Sequence, residues 1–131
     1  MNMATFTSFE EIESWQRSRV LIRQIREICK RQSAKNDFSF TDQITRAARS
    51  ISANIAEGND ASTAKEFAKY LSYAKRSCAE VNSHLYDALD EKYISQKEFN
   101  ELEISCKEIC KMLGGLIKYL QKLSPRATRN Y

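Results

Sequence analysis

Between Phe67 and Ala88, the apolar residues Phe67, Leu71, Ala74, Cys78, Val81, Leu85 and Ala88 recur at alternating intervals of four and three. Phe99, Leu102, Cys106, Ile109, Leu113, Leu116 and Leu120 repeat the pattern. At about 3.6 residues per turn, this spacing lays one apolar stripe along each of two helices about six turns long. A stripe of that length is stable in water only when it packs against other helices or a sheet. Breakers are scarce as well: the 131 residues contain one proline, Pro125, and three glycines, Gly58, Gly114 and Gly115. Long uninterrupted helices are therefore expected.

Two further stripes precede these. Trp15, Ser18, Ile22, Ile25 and Cys29, widened by Leu21 and Ile28, predict a first helix. Ser8-Phe9-Glu10-Glu11 reads as its capping box. Residues 33–40 read as a loop. A second helix is predicted from Thr41, with Ile44, Ala47, Ala48, Ile51 and Ile55 on a face of small residues. Gly58 is expected in the left-handed position that ends it. Thr63-Ala64-Lys65-Glu66 and Ser95-Gln96-Lys97-Glu98 are capping boxes for the third and fourth helices. Short connections favour antiparallel neighbours crossing at about 20°. The fold class is thus all-α, an antiparallel up-down four-helix bundle over residues 8–123. Residues 124–131, with Pro125, Arg126 and Arg129, form an expected flexible basic tail. Gly114-Gly115 fits poorly, because two glycines within a helix cost roughly 2 kcal/mol relative to alanine. Either the helix bends there or another backbone approaches.

Several function classes find no support. No apolar run reaches the roughly 20 residues needed to span a bilayer, so no membrane association is expected. Acidic Glu10, Glu11 and Glu13 argue against a signal peptide, which makes a cytoplasmic location the expectation. Cys29, Cys78, Cys106 and Cys110 lie on or beside the stripes, no CxxC pair exists, and His84 is the sole histidine. They read as buried reduced thiols rather than disulfides or metal ligands. There is no Gly-rich phosphate loop, no carboxylate set at metal-ligand spacing and no nucleophile with an orienting base. No enzyme activity, cofactor, metal or small-molecule substrate is expected.

The net charge of +4 is unevenly spread. Residues 14–36 hold seven basic side chains and one acid, whereas residues 80–108 hold eight acids and three bases. A basic front and an acidic back can steer a partner or pair two copies. Within the basic segment, Arg19, Arg23, Arg26 and Lys30 fall at i, i+4, i+7 and i+11, inside an arc of roughly 60°. Such a row can follow a phosphate backbone; the alternative is a solvated face or a row paired with a neighbour's acids. Lys69, Tyr73 and Arg76, with Lys65 just before, place an aromatic ring among cations where an unpaired base can stack. Lys107, Lys111, Lys118 and Lys122 read as a solvated lysine face. Arg46, Asn54 and Glu57 read as structural polar groups on or near the second helix's small-residue face, with Glu57 and Asn54 available to Arg46, Trp15 or a neighbouring subunit.

The run from Gln43 to Gly58, Gln-Ile-Thr-Arg-Ala-Ala-Arg-Ser-Ile-Ser-Ala-Asn-Ile-Ala-Glu-Gly, resembles the signature of the bacterial four-helix-bundle proteins encoded within intervening sequences of 23S rRNA genes. Phe9 through Trp15-Gln16, Lys65-Glu66-Phe67 with Tyr70-Leu71, and Met112-Leu113 with Leu116-Ile117 extend the resemblance. Ser52 stands where that family usually has proline, and Arg49 where an apolar residue is common. The resemblance implies the same bundle fold. Family members are similar to the accessory protein of diversity-generating retroelements, a pentameric barrel that works with a reverse transcriptase and nucleic acid. The resemblance thus also implies a homopentamer with RNA or DNA as partner, in which Trp15, Arg46, Asn54, Glu57 and Gly58 serve structure or interface. The alternative is a protein–protein scaffold that binds no nucleic acid.

Overall fold

Each stripe becomes a helix. The computed structural model describes residues 8–123. A 3-10 turn at Phe9–Glu11 leads into α1 (Glu13–Cys29), followed by α2 (Phe38–Asn59), α3 (Ala64–Asp90) and α4 (Gln96–Leu123), and no strand occurs among the described residues. The basic tail expected at 124–131 lies outside them.

The four helices close into a ring. α2 packs on α1 and α3, α4 packs on α3 and α1, and α1 does not meet α3. Contacts between neighbours fall in opposite order along the two helices, the pattern of antiparallel pairs. On α2 and α3, Ser50 meets Ser77 while Gly58 meets Phe67 and Tyr70. On α3 and α4, Cys78 reaches the Cys106 carbonyl and Tyr86 reaches Glu103. On α1 and α4, Arg17 pairs with Glu108 and Arg31 with Glu98. Ile25, Ile44, Ile51, Ile55, Leu71, Val81, Leu85 and Leu113 are wholly excluded from solvent at the centre. Burying each such side chain contributes about 1.5–3 kcal/mol.

The helix ends show where local sequence and tertiary packing compete. Ser8 does not cap α1: its side chain makes no cap hydrogen bond. The chain instead turns at Ile12, which is extended and buried, and whose carbonyl accepts from Trp15 and Gln16 at 3.0 and 3.1 Å. Burial of Ile12 moves the helix start past the expected box. α2 begins one turn before Thr41, because the Asp37 carboxylate accepts from the Phe40 amide at 3.2 Å and nucleates the helix at Phe38. Thr63 caps α3 through the Glu66 amide at 3.0 Å. The box at α4 is reciprocal: the Glu98 amide donates to Ser95 Oγ at 3.1 Å, and the Ser95 amide donates to Glu98 Oε1 at 2.9 Å.

Gly58 is not left-handed. It lies within α2, and no glycine among the described residues has positive φ. Its role is steric: a Cβ there would stand 2.8 Å from Phe67 Cδ1 and 2.9 Å from Tyr70 Cβ, so the missing side chain lets α3 approach. The left-handed terminus occurs after α3 instead, at Lys92 with φ 64°. There the Tyr93 amide reaches back to the Ala88 carbonyl at 2.8 Å and the Lys92 amide to the Leu89 carbonyl at 3.0 Å, a Schellman closure.

α4 runs unbroken through Gly114-Gly115. Among the described residues, no neighbouring backbone presses on the pair: a Cβ at Gly115 meets nothing within 4 Å, and one at Gly114 meets only Lys75 Nζ, at 3.7 Å. Of the cysteines, Cys78 and Cys106 are buried, but Cys29 and Cys110 are half-buried at the edges of their stripes, which corrects the expectation that all four are enclosed. All four are free thiols. Burial pushes the Cys29 and Cys110 thiols up, and the hydrogen bond with Cys78, followed by burial, does the same for Cys106.

Candidate nucleic-acid interface

The basic segment of α1 splits into two groups according to what each side chain faces. Arg17 and Arg31 turn toward α4. Arg17 pairs with Glu108 at 2.9 Å and more loosely with Glu13 at 3.5 Å. Arg31 grips Glu98 with both guanidinium nitrogens, at 3.0 and 2.5 Å, and donates to the Tyr93 carbonyl at 2.8 Å. The basic front and acidic back of the sequence therefore meet along one seam inside the chain. The fork of hydrogen bonds from Arg31, with the Ser95 amide, holds the Glu98 carboxyl down at about 2. On the same end of the bundle, Tyr93 donates to Asp37 at 2.5 Å, a bond that pushes its phenol up to about 12. Arg31, Asp37, Tyr93 and Glu98 thus tie the α1–α2 connection to the α3–α4 connection.

The second group is the row Arg19, Arg23, Arg26 and Lys30, all four exposed, three on α1 and Lys30 at the residue that caps its end. Arg19 lies over the Trp15 ring at 5.4 Å, and Phe9 meets that ring edge-on at 5.0 Å, so Trp15 braces the start of the row. Lys30 has only a loose contact with Glu27 at 3.8 Å. Arg23 and Arg26 have no ion pair among the described residues. The row is a strip of positive charge that the described residues compensate only at Lys30, and loosely, which suits it to anionic ligands.

Lys69, Tyr73 and Arg76 do come together on α3. Arg76 sits over the Tyr73 ring at 5.8 Å, Tyr70 meets Tyr73 edge-on at 5.9 Å, and Lys69 leans toward Glu66 at 3.4 Å. The structure does not join this patch to the α1 row, since α1 and α3 occupy opposite corners of the ring. On α4, Lys107 approaches Glu103 at 3.8 Å, and Lys107, Lys111, Lys118 and Lys122 are exposed.

The polar residues of α2 do not form a cluster. Asn54 donates to the Ser50 carbonyl at 2.8 Å and to Ser50 Oγ at 3.0 Å, and Ser50 Oγ also accepts from Ser77 at 2.8 Å. This chain of hydrogen bonds pins α2 to α3. Arg46 points outward and pairs with Asp42 at 3.4 Å, while Glu57 is exposed. Asn54 therefore bonds to neither Arg46 nor Trp15. His84 lies between Glu80 and Asp87 on its own helix, at 3.5 and 3.6 Å.

Sequence reasoning missed the Arg31–Glu98 clasp and the part of Phe38. The capping box had already marked Glu98, and an acid leading an aromatic pair, Asp37-Phe38-Ser39-Phe40, carried the signal for the earlier start of α2. The partnership with Arg31 spans 67 residues and is invisible to local pattern.

Residues 10–115 match the family model described as 23S rRNA-intervening sequence protein. The chain belongs to this family. Among solved structures, the bundle is similar to the 1.70 Å crystal structure of a protein with unknown function from the S23 ribosomal protein family of Bacteroides thetaiotaomicron VPI-5482. The TM-score is 0.74 at 25% identity, over 81% of this chain and 96% of that one. Comparison with curated proteins found no match. Of the five residues that the sequence resemblance singled out, Trp15 stacks against Phe9 and Arg19, and Asn54 and Gly58 lie at the α2–α3 contact, whereas Arg46 and Glu57 are exposed on α2. No helix among the described residues is long and apolar enough to cross a membrane.

Proposed function

We propose that this protein is a non-enzymatic homo-oligomer that binds RNA or DNA through basic helix faces, first of all the α1 row. The observation that carries this reading is the split of the α1 cations. Arg17 and Arg31 pair with acids of α4, whereas Arg23 and Arg26 stand exposed without a carboxylate partner among the described residues. Internal pairing accounts for only some of the seven bases in this segment, and Arg23 and Arg26 of the row are among those it leaves over. Arginine presents a planar fork to phosphate oxygens, and each contact releases counterions.

The test replaces Arg23 and Arg26 with glutamine, which retains length and helix propensity. Affinity for an RNA or DNA oligonucleotide should fall for every sequence alike, since phosphate contacts do not read bases. The slope of log K against log salt should shrink by about 0.7–0.9 for each phosphate no longer neutralised. A folded, correctly assembled variant with wild-type affinity and slope removes this face from the proposal. The scaffold reading draws its support from Val20 and Ile104, which are 45% and 57% exposed on neighbouring helices, and it gains if the wild-type protein binds no polynucleotide at low salt.

A further inference from the structure

Between the end of α1, the loop beyond it and the first half of α2 lies an open cleft of about 850 Å³. Arg26, Lys30, Lys35 and Arg49 line it with positive charge. The one lining carboxylate, Asp42, is engaged by Arg46 at 3.4 Å. Lys35 and Arg49 have no ion pair among the described residues. The floor is neutral, with Cys29 Sγ 3.7 Å from Thr45 Oγ1. At the rim stands Phe38, 73% exposed, the most exposed of the large hydrophobic side chains among the described residues. Its helix does not need it there: Asp37 supplies the cap, and Phe40 supplies the buried aromatic.

We infer that this cleft is a binding site for unpaired polynucleotide, in which Phe38 stacks on a base while Arg26, Lys30, Lys35 and Arg49 hold the flanking phosphates. The site rests on the nucleic-acid reading above and continues the α1 row, since Arg26 and Lys30 belong to both. A phenylalanine this exposed costs solubility and gives the bundle little packing, but an aromatic side chain sharing a cleft with four cations is an arrangement that takes up single strands. A duplex keeps its bases stacked on one another and offers none to Phe38. The row alone therefore accepts any polyanion, and the cleft adds preference for unpaired strands. An acidic protein segment would use the same cations but has no planar base for the ring.

The experiment compares wild-type protein with Phe38→Ala by fluorescence anisotropy, using labelled oligouridine, oligodeoxythymidine, an RNA duplex of equal length and a polyglutamate peptide. Stacking on one base is worth about 1–3 kcal/mol, so affinity for single strands should fall about 5- to 150-fold. The salt slope should stay unchanged, and the duplex should bind as before. A loss seen with oligouridine or with oligodeoxythymidine supports the site and tells which polymer it takes. Equal affinity of wild type and variant for both single strands overturns the site while leaving the nucleic-acid reading intact. Equal losses for single strand and duplex, or for polyglutamate, also overturn it. Absence of any binding by the wild type overturns both proposals. Circular dichroism establishes that the variant folds, and Phe38→Trp serves as the second probe: its added indole should be quenched on titration with single strands and silent with duplex.

Discussion

At the scale of single residues, two glycines in the same kind of helix answer to different causes. Gly58 is buried where α3 crosses, and a methyl group there collides with the Phe67 ring and with Tyr70 Cβ, the latter too close to its backbone to move cheaply. Gly115 is exposed, with open space around its missing Cβ. Gly58→Ala should therefore destabilise the fold by about 1–3 kcal/mol through overpacking, even though alanine is the better helix former. Gly115→Ala should stabilise it by up to about 1 kcal/mol. Urea unfolding of the two variants checks both signs, and equal shifts would contradict the steric account. The sequence marked Gly58 as special for the wrong physical reason. A glycine near a helix end suggests a left-handed cap, and only the position of α3 shows that closeness, rather than backbone angle, demands it. Lys92 carries the same lesson from the other side, because nothing local distinguishes it as a left-handed residue.

At the scale of elements, periodicity made all four helices legible, because a core-facing stripe is a local property. The starts of α1 and α2 were less so: Ile12 and Asp37 act through burial and through a cap that the stripe does not register. Cross-element bonds were not legible at all, and Arg31–Glu98 is the clearest case. Glu98 has its carboxyl held at about 2 against an ordinary value of 4.5. A depressed folded-state value means that its stabilising contribution is fully present above about pH 4.5. It declines as the pH falls below that and is gone once the pH passes below about 2. Glu98→Gln should lower stability by about 1 kcal/mol at neutral pH, a modest figure because both partners are about one-third exposed to screening solvent. The gap between variant and wild type should close on acidification from pH 5 toward pH 2. Thermal melts across that range provide the check, and a gap that stays constant would place the effect elsewhere.

At the scale of the whole molecule, the charge asymmetry of the sequence takes on a different meaning. A basic front and an acidic back suggest copies meeting end to end, yet part of that charge is spent within one chain, where Arg17 and Arg31 of the basic segment pair with Glu108 and Glu98 of α4. The proposed closed oligomer therefore needs another source of adhesion, and exposed Val20, Tyr86, Ile104 and Tyr119 supply apolar surface for it. Light scattering at micromolar concentration should give a mass several times 15.2 kDa, and five times that for a pentamer. A clean monomer would count against assembly, and high salt should weaken the oligomer little if apolar contact holds it.

The ring order of the helices has one more consequence. Because α1 and α3 never touch, the arginine row and the Tyr73 patch look out in different directions from a single bundle. On the proposed reading each protomer has a valence of two, so two segments can be held at once without competing for space. Joined segments then gain from the high local concentration that the first contact creates, and weak individual grips add up to a slow release.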